Sequence, residues 1–303
     1  MTSHEVVRRR LLLTGAVSTA VVGAGAVGVW SGVVPGRSRV REALGVGQVR
    51  ADVPDAGAGQ PVFATFFSRA RDREVGWGFA VPPGQEVVGL PVVIVLHGRG
   101  DDARAAFDHL GVHEFLAQHV AGGGAPFGVA SVDGGSTYYH PRADGDDALT
   151  MIGSELLPLL AEVGFDTSRL GAAGWSMGGF GALLLAREAG AGRFAAPGHL
   201  LAAAASSPAL FASAGATSPG SFDDAADFQR WGALAGDPGV RGVALTVSCG
   251  VDDPFREQTQ RYREACAPTP EGGIADGAHD MDYWRSVLPA QLAFLGSHLY
   301  AGQ

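Results

Sequence analysis

The sequence predicts an α/β fold: a mostly parallel central sheet with helices on both faces. Three observations predict it. Leu90-Pro-Val-Val-Ile-Val-Leu96 is a continuous apolar run, the mark of a strand buried on both faces of a parallel sheet. The stretch Arg169–Ala186 passes from small apolar residues, which read as a buried strand, through Gly174-Trp-Ser-Met-Gly178 into a helical run. Further apolar runs over 127–132, 200–206 and 243–250 alternate with helical patterns, the order that builds parallel β-α units.

A chain of 303 residues can bury a full core, and one large α/β domain with a short appendage is the natural expectation. The composition is globular, and the formal net charge of −9 argues against nucleic acid or an anionic membrane as the main partner. Every basic side chain besides histidine is Arg; Lys and Asn do not occur. Cys249 and Cys266 have neither the number nor the spacing of a zinc site. In an oxidising compartment they would form one disulfide, and in a reducing one they would be two buried thiols. The N-terminus tilts the expectation to the disulfide.

That N-terminus opens with Arg8-Arg-Arg-Leu-Leu-Leu13 and an uncharged run to Val34. Paired arginines ahead of a weakly apolar Ala/Gly/Val region resemble a twin-arginine export signal. The run is also long enough to span a bilayer as a simple anchor. Ala24-Gly-Ala26 offers a small-residue cleavage site, and Arg37, Arg39 and Arg41 would lie on the disfavoured outer side of a retained anchor. The expectation is export to an extracellular or cell-envelope location, with residues 1–34 engaging export machinery or membrane. Residues 35–60, rich in Gly, Pro, Ala and Asp, read as a flexible linker, and the folded domain is expected over 61–303.

Within that domain, Val62–Phe67 and Glu74–Val81 read as a hairpin, closed by Pro82-Pro-Gly84. The strand 90–96 runs into His97-Gly-Arg-Gly-Asp-Asp102. Ala103–Val120 reads as a helix with His109 and His113 at i, i+4; with no Glu between them and no third ligand, they read as ordinary histidines rather than a zinc pair. Strand 127–132 leads to Asp133-Gly-Gly-Ser-Thr-Tyr-Tyr-His-Pro-Arg142. Ligands of such sheets bind outside these strand ends, so Tyr138, Tyr139 and His140 read as a substrate-cleft wall, with loop packing as the alternative. Asp144-Gly-Asp-Asp147 reads as a solvated loop capping a helix over 148–163, not as a calcium site. Beyond strand 200–206, residues 207–238 form a polar and aromatic excursion, either a cap segment or a plain connection. Strand 243–250 leads to Val251-Asp-Asp-Pro254 and a helix to Ala265. Gly277-Ala-His-Asp280 then precedes an amphipathic closing helix over 286–299.

The chemistry centres on Ser176. With Gly at 46 of 303 positions, a bare G-x-S-x-G match carries little weight. Its place between a buried strand and a close-packed helix is what matters, because a serine on such a strained turn exposes its hydroxyl. The helix N-terminus also points free N–H groups at the place where an oxyanion would form. A serine hydroxyl needs a base and an orienting acid to become a nucleophile. Asp253, at the end of strand 243–250, is the expected acid, with Asp252 in reserve and helix capping as the bland alternative. His279, on the loop before the last helix, is the expected base.

With these residues assembled, the portion 61–300 resembles the putative esterase branch of the α/β-hydrolases, which includes esterase D-like enzymes and the antigen 85 mycolyltransferases. The resemblance rests on His97-Gly98, Asp133-Gly-Gly135 with its tyrosines, Gly174-Trp-Ser-Met-Gly-Gly179, Cys249-Gly-Val-Asp-Asp-Pro-Phe255 and Gly277-Ala-His-Asp-Met-Asp-Tyr-Trp284. It implies the α/β-hydrolase fold and acyl transfer by Ser176, His279 and Asp253. The backbone amides of Arg99 and Met177 would form the oxyanion hole, and His97 would be a structural hydrogen-bonding residue. No metal or organic cofactor is implied. Three functions follow: an exported hydrolase of small-molecule, glycolipid or carbohydrate esters; an acyltransferase onto a cell-envelope sugar; and a non-catalytic binding protein on a hydrolase scaffold.

Overall fold

The computed structural model describes residue 47 and residues 49–194, 199–233, 238 and 240–301. The expected export or anchor segment, and the expected linker up to Gln48 apart from Gly47, lie outside these residues. Eight strands form one sheet: β1 (Val62–Ser68), β2 (Arg73–Ala80), β3 (Pro91–Leu96), β4 (Gly128–Val132), β5 (Asp166–Trp175), β6 (Leu200–Ser206), β7 (Ala244–Gly250) and β8 (Glu271–Ala275). Their order is β1-β2-β4-β3-β5-β6-β7-β8. The β1-β2 and β2-β4 pairs are antiparallel, and the other pairs are parallel. This is the mostly parallel α/β-hydrolase sheet that the sequence predicts.

Every residue of β3 is buried. A strand with helices on both faces has no solvent side, and burying each Val or Leu contributes on the order of 1.5–3 kcal/mol. The two faces carry separate cores. One is covered by α3 (Ala148–Met151, Ile152–Leu156 and Leu157–Val163, continuous), α4 (Met177–Gly190), α5 (Ala225–Trp231) and α6 (Arg256–Ala265). The other is covered by α1 (Ala105–Asp108), α2 (Val112–Ala121) and α7 (Met281–Leu299).

Four expectations are corrected. The helix read over 103–120 breaks into α1 and α2, because Gly111 adopts φ 74° at the junction. His109 therefore lies outside the helix that carries His113. The closing helix begins at Met281 rather than Ser286, capped by Asp280 Oδ1, which accepts the Tyr283 N–H at 2.9 Å. Cys249 and Cys266 are not joined by a disulfide. Cys249 turns inward beside Asp253 while Cys266 lies beside Tyr262, and burial pushes the Cys249 thiol up to about 12.

The compact body begins at Val49, not Pro61. Residues 49–60 lie along it: the Ala56 and Ala58 N–H groups donate to Glu114 Oε2 at 2.9 and 3.3 Å, and the Ala51 N–H reaches Asp282 Oδ1 at 3.5 Å. The later part of the expected linker is thus tied to α2 and α7.

Candidate active site

Ser176 sits between β5 and α4 with φ 55° and ψ −119°, a conformation that L-residues rarely adopt. The turn is locked from three sides. Its N–H donates to Ser206 O at 3.0 Å, and its carbonyl accepts from Phe180 N and Ala209 N at 3.1 and 2.9 Å. A Cβ on Gly178 would land on the carbonyl of Leu96, so only glycine lets α4 approach β3 this closely. The result is a half-exposed hydroxyl at the C-terminal edge of the sheet.

The edge gathers two more side chains from strands further along. His279, after β8, places Nε2 3.0 Å from Ser176 Oγ and Nδ1 2.8 Å from Asp253 Oδ2. Asp253, after β7, has a fully buried side chain whose Oδ1 accepts the Phe255 N–H at 2.8 Å. The structure thus places Asp253, and not Asp252, against the imidazole. A carboxylate on Nδ1 holds the proton there and leaves Nε2 as the acceptor facing the serine hydroxyl. The sequence did not single out the aromatic side chains that steady this ring: Phe255 and Trp284 pack against it with centroids 5.3 and 5.1 Å away. That role depends on how α6 and α7 begin, which composition does not reveal.

Met177 opens α4, so its N–H has no partner within the helix. Arg99 lies exposed on the loop after β3, and its guanidinium donates to Pro219 O at 2.7 Å. Its amide shares a peptide with the Gly98 carbonyl, and the two point in opposite directions across a trans peptide. That carbonyl is gripped by the buried His97, whose Nδ1 lies 2.7 Å from it. The other ring nitrogen, Nε2, accepts the Gly134 N–H at 3.0 Å, while its 3.6 Å approach to Asp133 Oδ1 is too long for a hydrogen bond. With Nε2 accepting from Gly134, the ring faces the Gly98 carbonyl through Nδ1 and so sets the direction of the Arg99 N–H.

Tyr138, Tyr139 and His140 do not line a cleft. They are 3 %, 0 % and 0 % exposed. Left-handed backbone at both tyrosines, φ 55° and 59°, turns their side chains inward. Tyr138 packs on Phe180, Phe211 and Phe222, and the Tyr139 hydroxyl donates to His97 O at 3.1 Å. Burial pushes the Tyr139 hydroxyl up, so it stays a neutral donor. His140 stacks between Phe222 and Trp231, with its ring nitrogens 2.9 Å from Pro141 O and 3.0 Å from Ser221 O. These residues pin the excursion after β6 to the loop after β4. Arg142 adds to the clamp by pairing with Asp223 at 2.6 Å.

Residues 68–295 match the family described as putative esterase. No curated protein matches the chain. Among solved structures, a ferulic acid esterase is 22 % identical with a TM-score of 0.65, covering 78 % of this chain and 98 % of its own. An S-formylglutathione hydrolase from Agrobacterium tumefaciens is 17 % identical with a TM-score of 0.63, covering 80 % and 96 %. A fluorophosphonate-binding serine hydrolase of Staphylococcus aureus is 16 % identical with a TM-score of 0.59, covering 79 % and 99 %. At these identities the solved structures speak to the fold.

Proposed function

The chain belongs to the putative esterase family, and from that premise we propose that it hydrolyses carboxylic esters through Ser176, His279 and Asp253. The observation that carries the reading is the unbroken chain of hydrogen bonds from Asp253 Oδ2 through the imidazole to Ser176 Oγ. His279 Nε2 takes the hydroxyl proton as Oγ attacks the ester carbonyl, and Asp253 stabilises the imidazolium that forms. The Met177 and Arg99 amides receive the developing oxyanion. One such donor typically lowers the barrier by about 3–4 kcal/mol. His279 then protonates the leaving alcohol, and water attacks the acyl-enzyme by the same steps in reverse. Export rests on the Arg8–Val34 segment, whose twin arginines and apolar run support it.

Intact mass after treatment with a fluorophosphonate tests the reading. One adduct on the parent and none on Ser176→Ala is the expected result, with ester turnover falling roughly 10⁴- to 10⁶-fold in the variant. A folded parent that takes no adduct would sink the proposal and leave a binding protein on a hydrolase scaffold.

A further inference from the structure

The two edges of the sheet are finished differently. β8 is short, bends at Gly272 with φ 83°, and has its Glu271 and Gly272 carbonyls taken by the Arg263 guanidinium at 2.6 and 3.3 Å. β1 ends the strand order on the other side, and among the described residues no strand pairs with its outer edge. Natural proteins blunt such edges with charge, an internal proline, a bulge or a covering segment. β1 carries none of the first three. Val62-Phe-Ala-Thr-Phe-Phe-Ser68 is uncharged, and its register with β2 runs unbroken along all of it. The segment 49–60 lies along α2 and α7 instead. Val62 and Phe67 are 52 % and 55 % exposed beside this open row of backbone donors and acceptors.

The side chains decide which strand fits there. Phe63 packs edge-on against Phe107 of α1 at 5.4 Å, with the Arg104 guanidinium 4.0 Å from its centroid. Phe67 shares that face by the two-residue period of a strand, yet stands exposed. An antiparallel copy of β1 centred on Thr65 pairs all seven residues. Thr65 meets Thr65, Ala64 meets Phe66, Phe63 meets Phe67 and Val62 meets Ser68. Each exposed Phe67 then lies against the other strand's Phe63, the kind of aromatic pair that stabilises antiparallel neighbours. In this register Arg69 opposes Pro61, so no like charges meet, although the chain as a whole carries −9. A strand bearing charged side chains would gain the same backbone bonds but find no counter-charge in β1.

We infer that β1 is a self-association edge, to which a second copy of this chain adds its own β1 about a two-fold axis at Thr65. Such an axis is perpendicular to the sheet. The two sheets become one, and their C-terminal edges, each with its Ser176, point in opposite directions. Neither site is covered by the pairing. Cross-linking of the full chain tests the register, because opposed Cα atoms of an antiparallel pair lie about 4.5–5.5 Å apart, within disulfide reach. Thr65→Cys faces its own copy and should give a disulfide-linked dimer under mild oxidation. Val62→Cys and Phe67→Cys face Ser68 and Phe63, and should link at least tenfold less, as should the parent. Phe67→Lys puts a charge on the edge and should raise the dimer Kd at least tenfold in sedimentation, with an unchanged far-UV spectrum. Equal linking at all three positions, or a parent that sediments as a monomer at tens of micromolar, would overturn the inference. A dimer that persists in Phe67→Lys and does not link through Thr65→Cys would overturn it too, by placing the contact elsewhere.

Discussion

The carboxylate on His279 Nδ1 does its work by deciding which ring nitrogen keeps a proton. Asp253→Asn keeps the shape of the site but offers an amide that can donate to Nδ1 and so favours the other tautomer. We expect kcat to fall about ten-thousandfold with KM little changed. Asp252→Asn should cost less than about tenfold, because Asp253 Oδ2 is the carboxylate oxygen 2.8 Å from His279 Nδ1. Steady-state kinetics on a simple aryl ester would check both; a comparable loss in the two variants would contradict the assignment. At this scale the sequence was legible where chain order sets a residue's position, as for Ser176 and His279, which the structure brings within 3.0 Å of each other. Two adjacent aspartates at a strand end left the acid open, because one residue of turn geometry decides which faces inward. The tyrosines misled for a related reason: nothing in Tyr138-Tyr139 announces two consecutive left-handed residues, which only the packed environment can enforce.

Among the elements, the segment after β6 is clamped to the loop after β4. Its described residues hold little regular structure beyond Ala214–Ala216 and α5, so it depends on His140 and Arg142 for its position. His140→Ala removes a buried ring from between two aromatic neighbours and leaves the Ser221 carbonyl only the longer 3.5 Å contact from Arg142 Nη1. It should cost about 2–4 kcal/mol and open new proteolytic cuts between residues 208 and 231. A thermal melt and limited proteolysis measure this; unchanged stability and an uncut segment would count against the clamp. The strands with continuous apolar runs were readable within a residue or two. By contrast, β8 escaped notice because Glu271-Gly-Gly-Ile-Ala275 is short, Gly-rich and only partly buried, with its position set by pairing to β7. Inside α3, the wide turn over Ile152–Leu156 precedes Pro158, which lacks the N–H a regular helix would use. Sequence reading gave the helix but not its widened turn.

For the molecule as a whole, acidification should act through α2 before it reaches the carboxylates. Burial holds the His113 and His119 rings below the ordinary histidine value of 6.5. The unfolded chain therefore binds more protons than the folded one as pH falls past that value. Their contribution is fully present above about pH 6.5 and is lost progressively below it. The melting temperature should drop between about pH 7 and 5.5, and a His113→Leu, His119→Leu double variant should flatten that window; an equal slope in both proteins would contradict it. Salt-bridged Asp223, held low by Arg142, adds its own loss only at more acidic pH, below its ordinary 3.8. The boundary of the body was less legible, since the polar and small residues of 49–60 resemble a linker until Glu114 is seen to take two of their amides. One last consequence concerns synthesis. Ser176 and His279 are 103 residues apart, and the base follows the final strand. At ribosomal rates that interval takes roughly 5–20 s. Throughout it the nascent chain carries Ser176 without its partner, so the proposed esterase would be silent until almost its last helix has been made.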